Sequence, residues 1–129
     1  MSWHDAVDHA ARLSPDGFRL ESEPVHAWRL PTVEEAVRSL TFRGLNAGGV
    51  WDPRAERATY RVTPDKETPL WDPHSRVIYW WTSTEVDRSA ALSVTYNGRT
   101  NRRPKSAAQD YLGFRAVRAA SVTAPTGVR

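Results

Sequence analysis

The stretch Trp28-Arg29-Leu30-Pro31-Thr32-Val33-Glu34-Glu35-Ala36 decides the fold, because it turns an extended segment into a helix. Pro31 pushes Leu30 toward extended geometry. Thr32 is a natural N-cap, and Glu35, three residues on, closes a capping box. Glu34 and Glu35 also place negative charge at the positive end of the helix. Val33, Ala36, Val37 and Leu40 then recur at i, i+3, i+4 and i+7, one apolar stripe. The pattern predicts a helix from Val33 to about Phe42, ended by Gly44. Arg29, between Trp28 and Leu30, reads as a planar fork fixed by an acid or by carbonyls, holding the corner.

Working outward, Ser2 caps an earlier helix with Asp5 at the N3 position. Trp3, Val7, Ala10 and Leu13, helped by Ala6, share its face, and Pro15-Asp16-Gly17 ends it, so it spans about Trp3 to Leu13. Phe18-Arg19-Leu20 is a short apolar stretch. Beyond the second helix, residues 44–76 hold Gly44, Gly48, Gly49, Pro53, Pro64, Pro69 and Pro73, which forbids long regular elements. Trp51, Tyr60, Leu70 and Trp71 make the same region too apolar for a linker. One short strand is expected over Ala58 to Val62. Trp51-Asp52-Pro53 and Trp71-Asp72-Pro73 read as Asp-Pro turns with the tryptophan packed inward.

Val77 to Ser83 is the strongest strand, apolar at nearly every position and so expected to be covered on both faces. Ala90 to Tyr96 is a second, with Leu92, Val94 and Tyr96 on one face. Asn97-Gly98 predicts a two-residue hairpin turn, a return over Arg99 to Arg103, and a stop at Pro104. Tyr111 and Gly113 to Arg118 form the last strand. Residues 1–118 read as a single domain and 119–129 as a tail. The layout is α+β: two helices packed on a small antiparallel sheet, with long irregular loops.

Composition narrows the function. A chain of 129 residues, 40% hydrophobic and 26% charged, suits one globular domain with a real core. The absence of cysteine excludes disulfides, thiolate zinc sites and a cysteine nucleophile. No apolar run approaches the roughly 18 residues of a membrane span. Met1 to Asp5 has neither the basic nor the apolar region of a signal peptide. A cytoplasmic protein without membrane contact is the expectation. Charge is uneven. Arg99, Arg102, Arg103, Lys105, Arg115 and Arg118 stand against Asp110 alone, a +5 strip in a chain of net +3, which leaves −2 elsewhere. Such a strip suits nucleic acid or an acidic partner, but no nucleic-acid motif accompanies it, and a solvated hairpin is the ordinary reading.

Three motifs in order carry a resemblance: Trp28-Arg29-Leu30-Pro31-Thr32 with Glu35, after a helix with Trp3 and Ala6; Tyr79-Trp80-Trp81-Thr82-Ser83-Thr84-Glu85; and Gly113-Phe114-Arg115-Ala116-Val117-Arg118. Together they resemble the superfamily of the formylglycine-generating enzymes and the Lcl C-terminal-like domains. The resemblance spans residues 3–118 and implies a C-type-lectin-like fold, with Trp28, Arg29, Thr32, Glu35, Trp80, Phe114 and Arg115 as residues of the frame. Members of that superfamily carry a strand before the first helix, near the C-terminal strand. Here the tail, a partner or a second copy fills that place, or the edge stays open.

The resemblance implies no activity. Formylglycine-generating enzymes use cysteines, absent here. Related iron-dependent sulfoxide synthases use H-x-x-x-H-x-E, whereas His4 and His9 are five apart without the glutamate. The calcium triplets of sugar-binding C-type lectins do not occur. Ser83 and Thr84 lack a placed histidine base. His74, near Asp52, Asp65, Glu67 and Asp72, shows no metal-ligand spacing. We therefore expect no catalytic, cofactor or metal residue. Trp3, Trp28 and one of Trp80 or Trp81 belong to the core. Arg115 has Glu34 or Glu35 as a candidate partner. The best ground for binding is the loop region, with Trp51, Arg54, Arg57, Trp71, Asp72, His74 and Arg76, since tryptophan and arginine dominate protein interfaces. The expected function is non-catalytic recognition of another protein, in preference to carbohydrate. The alternatives are an enzyme of the formylglycine-generating type with an unrecognised site, and a binder of nucleic acid or acidic partners through the strip at 99–118.

Overall fold

The structure, a computed structural model, describes residues 1–65 and 77–119. The first helix, α1, runs Trp3–Arg12, with Ser2 as its cap accepting from the Asp5 amide at 3.2 Å. It stops one residue short of the expected end, because Leu13 is extended and bridges to Leu20. Ala6 and Ala10 are its buried residues, while Val7, expected on the inner face, is exposed. Small side chains at Ala6 and Ala10 leave room for the bulk of Trp81, Leu30 and Leu112 in the same cluster.

The corner forms as its sequence dictates. Strand β1 is Trp28–Arg29 and helix α2 is Val33–Ser39, with both halves of the capping box made. The Glu35 amide donates to Thr32 Oγ1 at 3.1 Å, and the Thr32 amide donates to Glu35 Oε1 at 2.8 Å. The helix does not reach Phe42. Leu40 is already extended, and Thr41–Phe42 (β2) pairs with Leu45–Asn46 (β3) across Arg43 and Gly44. Both turn residues have positive φ, 52° and 81°, the geometry of a tight hairpin turn rather than of a helix end.

A further hairpin and a four-stranded sheet follow. Val50–Asp52 (β4) pairs with Arg57–Thr59 (β5), so the strand expected at Ala58 to Val62 begins and ends earlier and has a partner the sequence did not reveal. Tyr79–Glu85 (β6), Ala90–Thr95 (β7) and Thr100–Pro104 (β8) form an antiparallel ladder, joined by Leu112–Gly113 (β9) in the order β8-β7-β6-β9. The β7–β8 connection is three residues, Tyr96 to Gly98, not two. The Thr95 amide donates to Arg99 O, and Gly98 alone takes positive φ, 90°.

The last strand is split, which corrects the single strand and the purely antiparallel sheet read from the sequence. Leu112–Gly113 lies parallel to β6, and Val117–Arg118 (β10) pairs antiparallel with β1. Gly113 allows this, since a side-chain carbon there would sit 2.9 Å from Val77 Cγ2. The strand flanking the C-terminal strand is thus β1, which follows α1. Ala119, assigned to the tail, donates its amide to Ala27 O at 3.0 Å.

Alternation along β6 and β7 divides the core in two. Trp81 and Ala91 pack with α1, while Leu92 and Val94 pack with Val33 and Val37 of α2 and with Leu40 just after it, joined by Trp51 and Ala58 from the β4–β5 hairpin and by Tyr60 at its foot. The central strands are covered on both faces, as the continuous apolar run requires. The helices lie on opposite faces, and the β4–β5 hairpin shares the α2 side.

Candidate functional site

The β4–β5 hairpin is the part of the loop region that the structure builds into a surface. Its foot is set by Gly49, where any side chain would run into the Val37 carbonyl and the Tyr60 ring. Trp51 is half-buried against the α2-side cluster, an anchor rather than an exposed contact. Asp52 Oδ1 accepts the amides of Arg54 and Ala55 at 2.9 and 3.3 Å, the Asp-Pro turn expected there.

Two contacts fasten this hairpin to the β7–β8 hairpin. Glu56 grips Arg102 with both oxygens, at 2.5 Å to Nε and 2.8 Å to Nη2. This bond holds the Glu56 carboxyl below its usual range. Tyr60 Oη donates to Gly98 O at 2.7 Å, and burial pushes its phenol well above the ordinary value. Gly98 has no room for a side chain beside the Tyr60 ring. Held at tip and foot, the hairpin turns Val50 (62% exposed), Arg54 and Arg57 outward. Leu45, 76% exposed, sits on the neighbouring β2–β3 hairpin, which also displays Arg43.

The basic strip is largely built into the frame. Arg103 lies 4.1 Å over the Tyr79 ring and donates to Ser93 Oγ at 3.0 Å. Lys105 is only 5% exposed, with Nζ on Glu85 at 2.5 Å and 4.5 Å over Trp3. Arg115 lies 5.4 Å over Trp80, and Arg118 lies 4.8 Å over Trp28 while donating to Pro15 O at 2.6 Å. Each cation covers an aromatic face at the rim of the core. Arg99 and Arg102 remain at the surface.

The frame residues stand as follows. Arg29 donates to both oxygens of Glu35 at 2.7 Å each and to Leu30 O at 3.1 Å. That grip, helped by the Thr32 amide, draws the Glu35 carboxyl down to about 2. Glu35, offered as a partner for Arg115, is therefore committed to Arg29, and Glu34 lies 3.9 Å from Arg38. Trp28 Nε1 donates to Ser14 O, Trp80 is buried, and Phe114 stacks on His9 at 6.4 Å. Trp71, Asp72, His74 and Arg76 lie outside the described residues.

Chemistry-bearing residues are used structurally. The Ser83 amide and hydroxyl both point at Pro31 O, and Thr84 Oγ1 accepts the Val33 amide at 2.9 Å. His4 packs edge-on against Trp3, and no group of three metal-ligating side chains occurs among the described residues. An apolar recess between α2 and residues 115–117 measures about 60 Å³, against the several hundred that a small-molecule site needs. An open basin of about 510 Å³ is lined by Ser2, His4, Arg88 and Lys105, the last already bound to Glu85. No helix among the described residues is long and apolar enough to cross a membrane.

No family model, curated protein or solved structure matches this chain. The functional reading therefore rests on this surface and on the motifs of the sequence.

The Glu56–Arg102 bond is what sequence reading misses. It spans 46 residues and joins an acid in one loop to a cation in a strip read separately. The only trace in the sequence is that Glu56 is the one acid between Arg54 and Arg57.

Proposed function

We propose that this chain is a non-catalytic recognition domain on a C-type-lectin-like frame, binding a protein partner through the β4–β5 hairpin. One observation carries the reading: a hairpin fastened at tip and foot presents Val50, Arg54 and Arg57 outward while its tryptophan is anchored inward. An exposed apolar residue on the same rigid hairpin as two exposed arginines loses little entropy on binding and has the composition of an interface. A protein is favoured over a carbohydrate because the outward groups are cationic and aliphatic, without an exposed aromatic platform on this hairpin among the described residues. The C-type-lectin-like assignment is supported by the order of the three motifs in the sequence; the β1–β10 pairing departs from it, since β1 follows α1.

The Glu56–Arg102 bond favours a second, narrower reading. It joins the hairpin that carries the exposed Arg54 and Arg57 to the hairpin that carries the exposed Arg99, while Glu56 balances the charge of Arg102 itself, an arrangement suited to an acidic partner. Nucleic acid is disfavoured, since most cations of the strip are spent on aromatic rings and internal acceptors.

The test is affinity capture with the full chain and with a triple variant, Val50→Asp, Arg54→Glu and Arg57→Glu. All three positions are exposed, and a melting temperature held near that of wild type is the control for folding, since Arg57→Glu faces Asp52 across the strand pair. Proteins enriched by the wild type should be depleted about tenfold or more with the variant, the scale of one or two hot-spot residues. Equal recovery of the same proteins by both chains contradicts the proposal.

A further inference from the structure

Strand β8 ends the four-stranded sheet, and among the described residues no strand pairs with its outer side. Its register settles which groups face out. Thr95 donates to Arg99 O at one end and Lys105 donates to Ser89 O at the other, both at 2.8 Å, with Ser93 opposite Asn101 between them. Residues 99, 101, 103 and 105 therefore turn their main chain toward β7. Thr100 and Arg102 turn N–H and C=O outward, four groups in strand geometry. The run is closed at Pro104, which lacks an N–H and whose carbonyl already accepts from Ala107 at 2.9 Å.

The charges on this edge discriminate between occupants. A second copy pairing antiparallel along β8 would set arginines against arginines, a repulsive arrangement. Arg99 precedes the open groups, and Arg102 carries two of them with its side chain held by Glu56. Arg54 and Arg57 stand on the hairpin that Glu56 ties to Arg102, so Arg54, Arg57 and Arg99 are the cations not bound to Glu56. The nearby acids are fewer than the cations. Glu56 is paired with Arg102, Asp52 faces Arg57 across the β4–β5 pair, and Asp87 holds the amides of Ser89 and Ala90. These three acids stand against the five arginines Arg54, Arg57, Arg99, Arg102 and Arg103, five minus three or +2. We propose that β8 receives an extended acidic segment of a partner protein, which adds as a fifth strand beyond Thr100 and Arg102. Main-chain bonds supply affinity, and glutamate or aspartate at alternate positions supplies the match. This rests on the recognition reading above and names the form of its partner.

The experiment uses the isotopically labelled full chain and a short peptide alternating glutamate and valine, with the lysine–valine peptide as control. In the free chain the amides of Thr100 and Arg102 should exchange quickly, and those of Asn101 and Arg103 slowly. Saturating acidic peptide should slow exchange at Thr100 and Arg102 by about tenfold or more, one backbone hydrogen bond each. The lysine peptide should not. Thr100→Pro removes an outward donor without touching the β7 ladder, so it should weaken the acidic peptide about tenfold at an unchanged melting temperature. Unchanged exchange at Thr100 and Arg102 overturns the proposal, whether or not the peptide binds elsewhere. If Arg54→Glu/Arg57→Glu abolishes peptide binding while Thr100→Pro leaves it intact, edge addition fails and hairpin recognition stands. If the edge amides become protected and the hairpin variant has no effect, edge addition stands and hairpin recognition fails.

Discussion

Replacing Glu35 by Gln isolates the charge at the corner that organises the chain. The amide keeps an oxygen for the Thr32 N–H, so the capping interaction survives. It loses the two charge-assisted bonds from Arg29, each 2.7 Å. The Glu35 carboxyl falls from 4.5 to about 2, chiefly because of those bonds. Taken whole, a drop of that size corresponds to roughly 3 kcal/mol of linked stability. Glu35 and Arg29 are 30% and 41% exposed at the side chain, so solvent screening reduces this to about 1–2 kcal/mol. The carboxyl is depressed in the folded state. Its contribution is therefore full above the unfolded value of 4.5 and fades as the pH falls toward 2. Urea denaturation of wild type and Glu35→Gln at pH 7 and pH 2.5 measures both limbs. At pH 7 the variant should be less stable by about 1–2 kcal/mol, several degrees in Tm. At pH 2.5 about a quarter of that gap should remain. Equal stability at pH 7, or a gap that persists undiminished at pH 2.5, refutes the account of the corner.

Other expectations follow from packing. Gly98→Ala places a methyl group against the Tyr60 ring at a positive φ and should cost about 1–3 kcal/mol by denaturant titration. Tyr60→Phe removes the bond to Gly98 O and leaves that carbonyl without it, a loss of about 1–2 kcal/mol in the same assay. Trp81→Ala empties the centre of the α1-side cluster and should cost about 3–5 kcal/mol or abolish folding, seen by near-ultraviolet circular dichroism. Phe18→Ser, at a position 88% exposed, should leave stability within about 0.5 kcal/mol.

Local chemistry is what the sequence displays well. Both helix starts are legible because a cap joins residues three apart, Ser2 to Asp5 and Thr32 to Glu35. The strand at Tyr79 is legible because its apolar run needs cover on both faces, and the strand at Ala90 because Leu92, Val94 and Tyr96 alternate with polar residues. Helix α2 ends early for a tertiary reason: Leu40 completes the buried stripe, and the chain must then turn at Arg43 and Gly44 to start the β2–β3 hairpin. The split of the last strand depends on Val77 lying against Gly113, a contact no periodicity encodes. At the candidate site, Trp51, Arg54 and Arg57 are identifiable by type, but the outward Val50 and the clamp from Glu56 to Arg102 are not. Burial on the α2 side turns Trp51 inward and thereby its neighbour Val50 outward, since successive strand residues face opposite ways.

The central claim is that a partner docks on the face of the β4–β5 hairpin. The most direct measurement is site-specific photo-cross-linking of the full chain, with a benzophenone side chain at Arg57 in one sample and at Asp8 of α1, on the opposite side of the sheet, in another. The account predicts a covalent protein adduct from position 57 and none from position 8. An adduct from position 8 alone, or equal adducts from both, contradicts it.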